Sequence, residues 1–134
     1  MAIIGSSANT ANYYVLRGSS GQINVGAISA AGTITATGEV TAYSDRRLKS
    51  NIKPLENKGY VQPYSYIKDG KESIGFIAQE MQEKYPQLVI VDESTDEKYL
   101  SVNYMQYTAV LQQQIIDLKK EIDELKEIIK DSNN

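Results

Sequence analysis

Leu111, Ile115, Leu118, Ile122, Leu125 and Ile129 recur at spacings of 4, 3, 4, 3 and 4. That alternation is a heptad seam on a helix, with Ile at a and Leu at d. It predicts one long helix over residues 103–134, capped at its start by Asn103 or Ser101. The seam fills under three heptads, which is marginal for a helix standing alone. It needs a partner: either other copies of the chain, or the chain's own domain if the helix is simply amphipathic. The strict alternation and the charged outer face favour self-association. On the number of strands, Ile at a with Leu at d leans to two, whereas Ile116 at b and Ile128 at g widen the apolar face toward three or more. In a parallel assembly Glu121 at g lies near Lys126 at e of a neighbour, and Gln114 near Lys119.

A chain of 134 residues accommodates one compact domain plus appendages. Its net charge of −3 argues against a dedicated nucleic-acid binder, and its one dense basic cluster, Arg46-Arg47-Leu48-Lys49, is short and follows an acid. The chain has neither Cys nor His, which removes disulfides and thiolate sites and leaves zinc without its usual ligands. No metal and no cofactor are expected. No apolar run reaches the ~18 residues of a membrane span, and no charged stretch precedes an apolar N-terminal core. A soluble chain with no membrane partner and no secretion signal is expected. Ten Tyr stand against one Phe and no Trp, so Tyr is the main aromatic core material.

Three zones follow one another. Residues 1–43 are rich in Gly, Ala, Ser and Thr, with short β-type pieces at Tyr13–Leu16, Gln22–Val25 and Gly32–Thr37. They hold too few large apolar groups to bury a core alone. They read as a flexible leader or as strands completed by other copies, and the regular Gly spacing favours the second. Residues 44–102 read as a small α+β unit. Strands are expected at Tyr64–Ile67 and Ser73–Ile77 around a Lys68-Asp69-Gly70-Lys71 turn, then a helix at about Ala78–Lys84 closed by Tyr85-Pro86. A buried strand at Leu88–Val91 and its return at Lys98–Val102 complete it. In Gly75–Glu80, Gly75 permits close approach, Phe76 and Ile77 fill the core, and Glu80 starts the helix. Residues 103–134 are the heptad helix.

The composition changes at Ser44-Asp45-Arg46-Arg47-Leu48-Lys49. Without imidazole or thiol, nucleophilic chemistry requires a hydroxyl with another base, and a lysine can be that base when its charge is suppressed. Ser44 and Lys49 lie five apart. At that spacing two side chains point to opposite faces of a strand and stand about 140° apart on a helix. The pair therefore needs a bend within Asp45–Leu48, or a lysine from a neighbouring copy. Arg46 and Arg47 would destabilise the ammonium; Asp45 would stabilise it if it paired with Lys49. In an arbitrary chain the same residues are a turn or a helix cap.

Ser44–Leu55 (SDRRLKSNIKPL), Ile74–Glu80 (IGFIAQE), Tyr85-Pro86-Gln87-Leu88-Val89 and the terminal heptad helix together resemble the C-terminal intramolecular chaperone auto-processing domain. That domain is carried by phage endosialidase tailspikes, many phage tail and neck fibres, and the myelin regulatory factor of animals. The resemblance covers residues 44 to about 130. It implies a homotrimer that folds the preceding fibre shaft and then releases itself, with Ser44 as nucleophile and Lys49 as base. The bond implied is Tyr43–Ser44, although the residues leave open which side of Ser44 is cut. Asp45, Gln79 and Glu80 are candidate supports. The expected division is the end of a β-rich shaft at 1–43, a chaperone and autoprotease unit at 44–102, and a trimeric coiled coil at 103–134. The expected location is a virion tail fibre made in the host cytoplasm. The segment before Ser44 is short for a fibre, which fits a shaft fragment or a small tip protein. Two competing readings are a trimerisation module that never cuts and a receptor-binding fibre tip.

Overall fold

The structure, a computed structural model, describes residues 19–23 and 25–134. Tyr13–Leu16 lies outside the described residues, as does Asn24. The chain divides into two compact units, Met1–Leu48 and Lys49–Asn134.

In the first unit no described residue forms a strand, and the regular element is a single 3-10 turn at Arg46–Leu48. The strand expected at Gly32–Thr37 is not formed in the single chain, nor is one formed by the described part of Gln22–Val25. The reason is that a strand needs a ladder partner and an apolar face to bury. Here Ile23, Val25, Ile28, Ile34 and Val40 are all exposed.

The second unit is α+β. Strand β1 (Pro63–Lys68) pairs antiparallel with β2 (Lys71–Phe76), in the register Lys68↔Lys71 through Pro63↔Phe76. Asp69 and Gly70 join them with φ of 52° and 74°. Two consecutive positive φ values are what a type I′ hairpin turn demands, and Asp-Gly supplies them at little cost. Helix α1 (Ala78–Lys84) follows, entered from extended Ile77, whose carbonyl accepts the Met81 N–H at 3.0 Å. Glu80 lies in its first turn rather than at its start. Pro86 ends the helix and opens a 3-10 turn, Pro86–Leu88. Strands β3 (Val89–Val91) and β4 (Leu100–Val102) then form a second two-stranded ladder. Helix α2 (Tyr104–Ser132) ends the chain. Of the two caps expected, Asn103 is the one used: its side chain accepts the Gln106 N–H at 3.0 Å.

The core consists of Val61, Met81, Tyr85, Leu88, Tyr107 and Val110, with Phe76, Val89 and Val102 packed against it. Tyr85 and Tyr107 bear out tyrosine as core material, and Phe76 meets Tyr107 edge-on at 4.8 Å between centroids. Two expectations need correction. The Leu88–Val91 strand is not buried: Leu88 ends the preceding 3-10 turn and is buried there, while Ile90 and Val91 face out. Alternation along a ladder with one face on the core puts Val89 against it and Ile90 outside, and Val91 ends the strand. Ile77 does not fill the core either; as the residue leading into α1 it turns outward, 39% exposed.

Helix α2 is docked by its first turns alone. Tyr107, Val110 and Gln114 are its buried residues, at spacings of 3 and 4. The seam residues Leu111, Ile115, Leu118, Ile122, Leu125 and Ile129 remain between 43% and 59% exposed. The unit therefore uses one stripe of the helix and leaves the seam uncovered. Gln114 is a further correction: it faces its own unit, so it is not available to meet a neighbour's Lys119.

Candidate functional site

Around Ser44 the local structure is built by Asp45. Its carboxylate accepts the Arg47 backbone N–H at 2.8 Å and is forked by the Arg47 guanidinium, at 2.6 Å from Nη2 and 3.0 Å from Nε. Its carbonyl accepts the Leu48 N–H at 3.1 Å. These bonds wind Arg46–Leu48 into a 3-10 turn. The hydrogen bond from Arg47 to Asp45 raises the guanidinium above its ordinary pKa. The carboxylate thus offsets Arg47, one of the two like charges that the sequence sets beside Lys49. Tyr43, on the acyl side of the candidate bond, is 96% exposed. Ser44 and Asp45 belong to the first compact unit, and Lys49 opens the second.

Gln79 and Glu80 occupy the first turn of α1, in the second unit. Glu80 accepts the Tyr64 hydroxyl at 3.1 Å, tying α1 to β1, and this bond raises the Tyr64 phenol above its ordinary pKa. Gln79 is exposed and lines a cleft of about 440 Å³ together with Tyr66, Lys68, Phe76 and Tyr104. Close packing beside that cleft depends on Gly75, where a Cβ would lie 2.6 Å from the Tyr104 hydroxyl oxygen.

A polar cluster that the motifs did not indicate lies farther along the second unit. The Gly59 carbonyl accepts the Tyr85 hydroxyl and the Gln114 side-chain amide, each at 3.0 Å. The Lys58 N–H donates to the Tyr85 oxygen at 2.9 Å. Asn57 accepts the Gly59 N–H at 2.9 Å and donates its amide to Asp117 at 2.8 Å, and Asp117 also accepts Gln113. Gly59 has a φ of +94°, a conformation open to glycine and costly for other residues. One trace of this cluster is visible in the sequence: the Tyr107, Val110, Gln114 stripe, which runs beside the seam at helical spacing.

Residues 44–90 match the family model described as chaperone of endosialidase. The family's name is that of a peptidase type, and the matched segment starts at Ser44. Residues 44–90 are thus a chaperone-of-endosialidase domain, as their motifs indicated. The chain is also 33% identical over 113 residues to the long tail fiber protein Gp37 of Salmonella phage S16. That alignment takes in 69% of this chain but spans only 15% of the length of the phage protein. Among the described residues, no helix is long and apolar enough to cross a membrane.

Proposed function

We propose that the chain is the end of a phage tail fibre: residues 1–43 finish the shaft, 44–102 form a chaperone and autoprotease unit, and 103–134 a trimeric coiled coil. Three copies associate through the α2 seam and hold three shaft ends at high effective concentration. The short β-type pieces of 1–43 complete their ladders between copies. The observation that carries this reading is the uncovered heptad seam on α2, in a chain whose chaperone-of-endosialidase segment begins at the candidate nucleophile.

Assembly then licenses one cut. Lys49 is exposed in the single chain; burial away from water in the assembled trimer favours a neutral lysine amine, the form that can act as base. Lys49 takes the proton from the Ser44 hydroxyl as Oγ attacks the Tyr43 carbonyl carbon. Backbone N–H groups hold the oxyanion. The Tyr43–Ser44 C–N bond breaks, the proton passes to the departing amine, and an ester links Tyr43 to Ser44 Oγ. Water hydrolyses the ester, leaving a carboxylate on Tyr43 and a free amine on Ser44. The reaction turns over once, on its own backbone. Release of the chaperone removes the path back to unassembled chains and traps the shaft kinetically. The mature product resides in the virion tail fibre.

Denaturing gel electrophoresis of the purified protein tests the proposal. Two fragments, residues 1–43 and 44–134, are expected, and Ser44→Ala and Lys49→Met should each leave one intact band. One intact wild-type band from a trimeric preparation would favour a permanent trimerisation module instead. Two fragments that persist in Ser44→Ala would point to a contaminating protease.

A further inference from the structure

We infer that Asn57, Gly59, Gln114 and Asp117 form a positioning clamp through which α2 sets the place of the Lys49 segment, making the cut conditional on a docked helix. This rests on the self-cutting proposed above. It adds residues outside the Ser44/Lys49 pair.

Three observations support it. First, the clamp joins the right parts. The loop at Asn57–Gly59 follows Lys49 through residues 50–56, which form no helix or strand. The position of that irregular stretch is therefore set by whatever anchors its far end. Second, the anchor is specific. Gly59 presents one carbonyl to two donors, Tyr85 from the end of α1 and Gln114 from α2, while Asn57 reaches Asp117 one turn further along the helix. Gln114 is buried, and a buried amide left without its acceptor is costly, so the loop and the helix hold each other. Third, the clamp shares its helical turns with the seam. Gln114 and Asp117 are interleaved in sequence with Leu111, Ile115 and Leu118, on the stripe beside the seam. Association along the seam therefore stiffens the same turns that grip the loop. Groups that orient a reacting side chain without touching substrate act in this way.

The test uses the full chain and a swap of donor and acceptor. Asn57→Asp removes the amide that donates to Asp117 and sets two carboxylates against each other. Asn57→Asp combined with Asp117→Asn restores one donor and one acceptor in reversed order. Gln114→Met, close in size, removes the donor to Gly59. Trimer mass and far-UV circular dichroism report folding. Trypsin cleavage of the Lys58–Gly59 bond, in a Ser44→Ala background, reports opening of the clamp, with about fivefold faster cleavage expected for each single variant. The expected result is self-cutting slowed on the order of 10²-fold in Asn57→Asp and Gln114→Met trimers, with a displaced pH profile and with both rate and profile recovered in the double variant. A purely structural role would leave the pH profile of the remaining activity unmoved. The inference is overturned if the single variants open the loop to trypsin yet cut at the wild-type rate with the wild-type pH profile. A wild-type trimer that never cuts overturns the self-cutting reading, and the inference with it.

Discussion

Gly75 and Tyr107 show how single residues hold the second unit together. A Cβ on Gly75 would meet the Tyr104 hydroxyl at 2.6 Å and the Tyr66 hydroxyl at 2.9 Å. Both rings would have to swing, and Tyr104 would lose the Phe76 N–H that it accepts. Gly75→Ala is expected to cost about 1–3 kcal/mol, seen as a lower urea midpoint with an unchanged slope. Burial holds the Tyr107 phenol above its ordinary pKa, with Tyr85 adding to the shift. A group raised in this way contributes stability that is fully present below its unfolded value and is lost as pH rises through the folded one. Stability should therefore fall above about pH 10, and Tyr107→Phe should flatten that alkaline limb in urea titrations run at several pH values. Tyr64, also raised, is too exposed to add much. Several residues could be read from the sequence because their roles are local: Asn103 as a cap, Asp69-Gly70 as a turn, Gly75 as a close approach. Gln114 could not. A polar residue at g in a heptad reads as a contact between helices, and only the fold reveals a carbonyl at Gly59 waiting for it.

Among the elements, α2 carries the most consequence. Its first turns dock through Tyr107 and Val110, and the helix then continues with its seam in solvent. The start depends on Asn103, whose side chain satisfies the Gln106 N–H and whose own N–H donates to the Leu88 carbonyl at 2.8 Å. Asn103→Ala should cost about 1 kcal/mol, measurable as a drop in the denaturation midpoint with little change in helix content. Periodicity revealed the helix, the hairpin and α1 because each has a strong local signature. It overstated the burial of Leu88–Val91, since a short apolar run does not say how many of its faces are covered. The strands expected at Gly32–Thr37 and in the described part of Gln22–Val25 are missing for a related reason: their pairing partners, on the present reading, belong to other chains.

At the scale of the assembly, the second unit is a small core carrying a long half-exposed helix, whose exposed stripe joins three copies on the reading proposed above. Replacing Ile122 with Asp places a charge at an a position that contributes nothing to the core. Ile122→Asp should abolish trimers in sedimentation equilibrium, leave the near-UV signal of the Tyr-rich core in place, and stop self-cutting although Ser44 and Lys49 are untouched. A variant that stays monomeric and still cuts would separate catalysis from assembly. The decisive measurement is the mass, under denaturing conditions, of the protein recovered from the trimer peak of a sizing column. Assembly-licensed cutting predicts two species, residues 1–43 and 44–134, whose masses together exceed that of the intact chain by one water. An intact chain alone in that peak, with Ser44 and Lys49 in place, would contradict it.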